Sequence, residues 1–320
     1  MRPSGKLHLG HFHGVLENWL ELQKKHECFF FVADWHALTT EYEDPSKVPE
    51  NTLEMVLDWL SVGIDPVKSV IFTQSGVKEH AELYVLLSML TPLGWLERNP
   101  TYKEQLVELK NRDVRTYGFL GYPVLQTADI IVYQAGMVPV GIDQAPHIEL
   151  SREIVRRFNH LYGEVFPEPK TLLTEAKKVL GTDGRKMSKS YDNSIYLSDT
   201  PEVIEKKMRT MVTDTARQRK TDPGNPEKCP FFETFHKLYS DESTIEWVHE
   251  VCTTGAVGCI ECKQRVIPKV LETLEPIQKK RAELEKDKAS VMETLKKDTE
   301  RARIVARETM EKVRSVMSLG

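Results

Sequence analysis

Phe12, Val15, Leu16, Trp19 and Leu20 recur at i, i+3, i+4, i+7 and i+8, which is one apolar face of a helix. Cys28-Phe29-Phe30-Phe31-Val32-Ala33 follows as a continuous apolar run of strand length, the kind buried on both faces of a parallel sheet. Asp44-Pro45 breaks the chain, and Met55, Leu57 and Leu60 mark the helix after it. Ser69-Val70-Ile71-Phe72 reads as a second strand, and Met137-Val138-Pro139-Val140 as another short one. Helices are predicted at 78–90, 102–112 and 122–134, and Ile154, Val155, Phe158 and Leu161 give a further helix face. Beyond about residue 190 the strand signal ends. Ala302, Ala306, Met310, Val313 and Met317 form a helical stripe, and the rest of 201–320 is charged and helical in pattern.

Strands alternating with helices imply an α/β fold with a parallel sheet, whose ligands sit at the carboxyl ends of the strands. A boundary near 190–200 would separate it from an all-helical C-terminal domain. With 320 residues, 40% of them hydrophobic, the chain is long enough for a sizeable core and two domains. The net charge of −4 excludes a generic nucleic-acid glue, so any RNA contact must use local basic faces. No apolar run approaches the roughly 20 residues that span a bilayer, and no signal peptide precedes Arg2-Pro3-Ser4-Gly5. The expectation is a soluble cytoplasmic protein.

Two stretches carry candidate chemistry. Pro3-Ser4-Gly5-Lys6-Leu7-His8-Leu9-Gly10-His11 stands at the mouth of the first helix, where unpaired N–H groups and the dipole favour phosphate. Gly10 would let a nucleotide approach closely, and His8 and His11 would donate to phosphate oxygens. Asp183-Gly184-Arg185-Lys186-Met187-Ser188-Lys189-Ser190 reads as a mobile loop whose two lysines, three apart, can bracket a pyrophosphate.

Taken together, these stretches resemble the two signatures of class I aminoacyl-tRNA synthetases, His-Ile-Gly-His and Lys-Met-Ser-Lys-Ser. Leu9 replaces Ile in the first, and the second is intact. Val138-Pro139-Val140-Gly141-Ile142-Asp143-Gln144, with His147-Ile148-Glu149-Leu150 and Arg152, is similar to the tryptophanyl branch. So are Tyr122–Ile130 and Asp34-Trp35-His36-Ala37-Leu38-Thr39. The resemblance implies a Rossmann-like catalytic domain over 1–190 and a helical tRNA anticodon-binding domain over 191–320. It implies an ATP site lined by Arg2, Pro3, Ser4, Gly10, His11, Gly141, Ile142, Asp143, Val179, Lys186, Met187, Ser188, Lys189 and Ser190. In it His8, His11, Lys186 and Lys189 would be catalytic. Asp129 would accept the indole N–H of L-tryptophan, apt because an indole has one donor and no acceptor. His36, Gln126, Val138 and Val140 would complete that pocket. The implied partners are ATP, Mg²⁺, L-tryptophan, tRNA(Trp) and a second copy of the chain, with no membrane. The rival readings are a tyrosyl-tRNA synthetase, a non-catalytic tRNA-binding relative, and another adenylyl-transferring enzyme. The resemblance also implies a short strand ahead of Arg2-Pro3-Ser4-Gly5, a strand for which Met1 leaves no room.

Cys229, Cys252, Cys259 and Cys262 have the spacing C-x22-C-x6-C-x2-C. A C-x2-C pair with two more cysteines nearby predicts a metal site, and spacing alone admits Zn²⁺ or an iron–sulfur cluster. A subset of bacterial tryptophanyl enzymes carries this spacing, and that resemblance implies [4Fe–4S] with a structural or RNA-positioning role. Cys28, in an apolar run, is expected to be structural. Residues 263–320 hold 15 Lys/Arg against 10 Asp/Glu, densest at Lys279-Lys280-Arg281 and Lys296-Lys297, a candidate face for RNA phosphates.

Overall fold

The structure is a computed structural model and describes residues 1–108, 115–174 and 177–319. The opening helix runs through Leu9–His11, a π-helical turn Phe12–Leu16 and Glu17–Leu22. Strand β1 (Cys28–Val32) pairs in parallel with β2 (Ser69–Thr73), joined by the helices Asp34–Glu41 and Val48–Val62. Parallel neighbours need such a crossover. Gly63, at φ +105°, closes the second of these helices in the left-handed conformation that glycine tolerates best. Strand β3 (Met137–Val140) pairs in parallel with β4 (Lys170–Leu173), and the helix Ala145–Tyr162 is their crossover. The helices Glu79–Leu90 and Tyr117–Ile131 bear out the patterns at 78–90 and 122–134. The pattern at 102–112 becomes Pro100–Glu108, and its remainder lies outside the described residues. Strand β4 was not expected: four residues between prolines and a threonine are too short to show a period of two.

The two strand pairs face each other across a groove of about 480 Å³ lined by Trp19, Phe29, Phe31, Tyr133, Val138 and Leu172. At one end Met1 lies alongside β1. Its ammonium donates to Phe31 O at 2.7 Å, and Ala33 N donates to Met1 O at 2.8 Å. Met1 thus makes the first strand-like contacts to that edge.

After residue 190 the described chain is helical, ending in the long helices Cys259–Glu285 and Lys288–Val316. None of the described helices is long and apolar enough to cross a membrane. Both apolar cores draw on both halves of the chain. One unites Leu9, Leu16, Phe30 and Trp59 with Ile204, Val266, Leu274 and Leu295. The other unites Val70, Phe72, Leu83 and Ile154 with Ala302, Ala306, Met310 and Val313, so the C-terminal stripe packs on the β2 layer. Burying each such side chain contributes about 1.5–3 kcal/mol, which ties the helices firmly to the sheet. Asp298 also accepts from Ile71 N at 3.1 Å, so the Lys288–Val316 helix satisfies the open edge of β2. The change near 190 is therefore a change of secondary structure without a break in packing.

Candidate active site

The first motif is held from two sides. Leu9 N donates to Ile195 O and Leu197 N to Leu7 O, both at 3.0 Å, an antiparallel bridge between His8 and Tyr196. That bridge lays the opening turn beside the lysine loop. Lys189 Nζ then crosses to it, donating to Ser4 O at 2.8 Å, Gly5 O at 3.0 Å and Ser4 Oγ at 3.1 Å. Burial lowers the Lys189 ammonium to about 8. Three carbonyl or hydroxyl acceptors leave it poised to exchange them for phosphate oxygens.

His8 Nδ1 accepts from Gly10 N at 3.1 Å, and His11 Nδ1 accepts from His8 N at 3.3 Å. Burial and Lys189 lower His8 to about 4, while burial, His8 and Lys189 lower His11 to about 3. Both rings are neutral at pH 7, and with Nδ1 accepting, the proton must sit on Nε2. They are therefore neutral donors, not cations. Gly10 has a further, structural reason to be glycine. A Cβ there would meet the His8 ring at 2.9 Å, so the space that glycine frees is filled by the helix cap.

The lysine loop is a small hairpin. Leu180 bridges Lys186, and Met187 N donates to Val179 O at 3.0 Å. Met187 and Val179 are buried in the first core, so their side chains anchor the loop. Buried Asn193 pins it further, donating to Asp183 Oδ1 at 2.7 Å and to Lys186 O at 3.2 Å and accepting from Ser188 N at 2.8 Å. Lys186 and Ser190 remain exposed.

A second cavity, about 380 Å³, opens beside this turn. Arg2, His36, Gln126, Asp129, Val138 and Gln144 line it. Val140 does not; it packs partly buried against the second core. Gly141, Ile142 and Asp143 form the exposed turn at the end of β3. A Cβ on Gly141 would come within 2.6 Å of Asp143 Oδ1, so glycine lets the carboxylate fold back over the chain. Gln144, next in sequence, shares the cavity with Arg2, which places the β3 turn and the opening turn around one space.

Asp129 is fully buried at the back of this cavity and is met by three donors. His36 Nε2 lies 2.7 Å from Oδ2; His80 Nδ1 and Gln74 Nε2 lie 2.6 and 2.8 Å from Oδ1. Burial opposes the charge, but His36 and His80 hold the carboxyl well below its ordinary range. Behind it, Tyr133 OH stands 2.7 Å from His80 Nε2. Burial and Asp129 push that phenol up, so it stays protonated and donates, and His80 in turn donates from Nδ1 to Asp129. A carboxylate offers about four lone-pair sites. Three are taken, which leaves room for one more donor from the cavity.

The four cysteines ring a much smaller cavity of about 20 Å³ with Arg217, His236 and Lys263. Burial raises Cys229 and Cys252, and burial with the neighbouring thiols raises Cys262 to about 12. Every pair among the four thiols is close enough to interact electrostatically. The expected metal centre is not present as a preformed ligand shell, however: among the described residues no three His, Cys, Asp or Glu side chains are arranged to hold a metal ion.

Residues 1–275 match the family described as tRNA synthetases class I (W and Y). The chain belongs to that family. This synthetase is 52% identical over 320 residues to a tryptophan–tRNA ligase of Thermotoga maritima, covering 100% of this chain and 98% of the relative. It is 46% identical to that of Aquifex aeolicus, again covering 100% and 98%. Among solved structures it is similar to a tryptophanyl-tRNA synthetase of Campylobacter jejuni complexed with ADP and tryptophan, with a TM-score of 0.89, 36% identity and coverage of 100% and 98%.

Four groups that shape the synthetase's site carry no signal in its sequence: Asn193, Gln74, His80 and Tyr133. Each is an isolated polar residue in an ordinary helix, turn or loop. Only the structure shows that His80 is fully buried and therefore needs partners.

Proposed function

We propose that this chain is a tryptophan–tRNA ligase that activates L-tryptophan with ATP and transfers it to tRNA(Trp). The observation that carries the reading is the contact of Lys189 with Ser4 and Gly5 beside a cavity that ends at Asp129. Triphosphate chemistry and an indole acceptor thereby share one cleft. The tryptophan–tRNA ligases similar over the full length support the same reading.

In activation the substrate carboxylate attacks the α-phosphorus and pyrophosphate leaves. The nucleophile is already ionised, so no general base is required, and catalysis reduces to positioning and charge stabilisation. The Nε2–H donors of His8 and His11 and the ammonium groups of Lys186 and Lys189 serve the phosphates. Arg2, Pro3, Ser4 and Gly10 shape the turn around them, and Gly141, Ile142 and Asp143 take the adenosine, Asp143 through ribose hydroxyls. Val179, Met187, Ser188 and Ser190 support the loop. Mg²⁺ enters with ATP and neutralises phosphate charge. Asp129 accepts the indole N–H, with His36, Gln126 and Val138 around the ring. Asp129, an acceptor kept ionised by His36 and His80, matches an indole, which has one donor and no acceptor. That favours tryptophan over tyrosine.

The helical segment 191–320 is assigned to tRNA, and the cysteines within it to a [4Fe–4S] cluster. Arg217 Nη1 lies 3.8 Å from Cys259 Sγ and His236 Nε2 3.3 Å from Cys262 Sγ, the donors that four thiolates need around them. Zinc would draw its sulfurs to about 2.3 Å from one point. Four cysteines around one cavity supply the thiolate set that either group takes, and the likeness of the C-x22-C-x6-C-x2-C spacing to the iron–sulfur subset carries the choice of cluster. Brown colour and about four irons per chain support the cluster; a colourless protein with one zinc overturns it. A homodimer is assigned to the face bearing exposed Val85, Met89, Leu93 and Tyr117, to be read by light scattering.

Tryptophan-dependent exchange of pyrophosphate into ATP tests the main reading, and exchange with tyrosine instead, or none at all, overturns it. Lys189→Ala should slow adenylate formation by about 100-fold and leave tryptophan affinity nearly unchanged. Loss of tryptophan binding at a normal activation rate would contradict that role.

A further inference from the structure

Arg281 lies buried near the end of the Cys259–Glu285 helix, surrounded by acids. Its Nη1 bonds Asp58 Oδ1, its Nη2 lies 2.5 Å from Glu54 Oε2, and its Nε lies 3.0 Å from Glu285 Oε1. Asp58, fully buried in the Val48–Val62 helix, uses its other oxygen to accept Leu7 N at 2.7 Å. Leu7 is the residue before His8. Three positions before Arg281, on the same helix face, Gln278 Nε2 donates to Asp199 O at 2.8 Å and to Leu197 O at 3.4 Å. Leu7 and Leu197 bond one another across the bridge that joins the opening turn to the lysine loop.

One face of a C-terminal helix therefore grips both sides of that bridge. A buried ion pair is weak as a source of stability, since desolvation consumes most of its attraction. It does fix geometry, because the planar fork of Arg281 is divided between Asp58 and Glu54 and each Asp58 oxygen has its own donor, which leaves little freedom. The object fixed here is a main-chain N–H one residue from the imidazole cap of the ATP turn.

We propose that Asp58, held by Arg281 and assisted by Gln278, is a positioning residue that sets the His8–His11 turn against Lys189, so that ATP affinity is controlled from the Cys259–Glu285 helix. The inference rests on the assignment of that turn to ATP. Asp58 does not touch the nucleotide; it acts through Leu7 N–H and through its charge on the Lys189 ammonium. The tryptophan cavity is not among its contacts, so the two substrates should respond differently.

The test is pyrophosphate exchange with ATP and tryptophan titrated separately, on the wild type, Asp58→Asn, Asp58→Leu, Arg281→Lys and Gln278→Ala, alongside thermal unfolding. Asp58→Leu should raise the KM for ATP about tenfold, the equivalent of about 1.4 kcal/mol, with the KM for tryptophan within about twofold. Asp58→Asn keeps an acceptor for Leu7 and should recover most of that loss. Gln278→Ala, at a half-buried position that threatens the fold least, should raise the KM for ATP about threefold, in the range of one hydrogen bond. If Asp58→Leu does not fold, Asp58→Asn and Gln278→Ala still decide. Equal changes in both KM values, or a lowered Tm with both KM values unchanged, overturn the proposal. A wild type without tryptophan-dependent exchange defeats the ATP assignment itself; a wild type that exchanges while every variant keeps its ATP affinity defeats this inference alone.

Discussion

Asp129 and Asp58 are both buried helix carboxylates, and their surroundings drive them in opposite directions. Asp129 meets two imidazoles and an amide donor and is held well below the ordinary range despite burial. Asp58 has Arg281 and one backbone N–H, yet burial wins and lifts it to about 6, with Glu54 adding to the rise. The difference lies in how the partners are shared. Arg281 divides its charge among Asp58, Glu54 and Glu285, whereas the donors around Asp129 converge on it. A carboxylate meant to receive a ligand is kept ionised with a vacant lone pair. The one that holds a backbone N–H is enclosed with two other acids that compete for its cation.

The strongest way to break this contrast is Arg281→Met, which strands Asp58, Glu54 and Glu285 without their cation. It should destabilise the fold by about 3–5 kcal/mol, read by chemical denaturation, and a loss under 1 kcal/mol would mean that water reaches the cluster. Asp129→Ala comes next. It should weaken tryptophan binding by about 100-fold in a fluorescence titration while leaving the KM for ATP nearly unchanged. Undiminished affinity would remove the indole from this pocket.

The two carboxylates should also give stability–pH slopes of opposite sign. The folded pKa of Asp58 lies above its ordinary 3.8, so its contribution is complete below about 3.8 and is lost as pH rises through about 6. The wild type should therefore lose about 3 kcal/mol relative to Asp58→Asn across that window. Asp129 is shifted down, so its contribution is complete above 3.8 and is lost as pH falls below it. Parallel curves for Asp58→Asn and Asp129→Asn would show that the two sites are alike after all. The smallest effect belongs to Tyr133→Phe. Losing the hydroxyl behind His80 should weaken tryptophan binding by about fivefold, the scale of one neutral hydrogen bond, and no change at all would leave His80 oriented by Asp129 alone.

The motif residues were legible because their chemistry is local. His8, Gly10 and His11 lie within one helical turn, and Lys186 and Lys189 within one hairpin. The pocket acid Asp129 was legible through resemblance, and His36, Gln126 and Val138 join it around the cavity. What the neighbours in sequence did not reveal is that the apolar side chains of Val140, Val179 and Met187 pack into or against the two cores. Asp58 and Arg281, 223 residues apart, left no trace, since a charged residue in a helix ordinarily faces water.

By itself the sequence determined the alternation of strands and helices, the helical C-terminal segment, the two signature stretches and the grouping of four cysteines. Each follows from periodicity or spacing that neighbouring residues impose on one another. Tertiary structure alone decided which ring nitrogen of His8 and His11 carries the proton, in which direction each buried carboxylate is shifted, why Gly10 must be glycine, and that the four thiols line one small cavity. Those properties depend on desolvation and on contacts between groups hundreds of residues apart, and no local pattern encodes either.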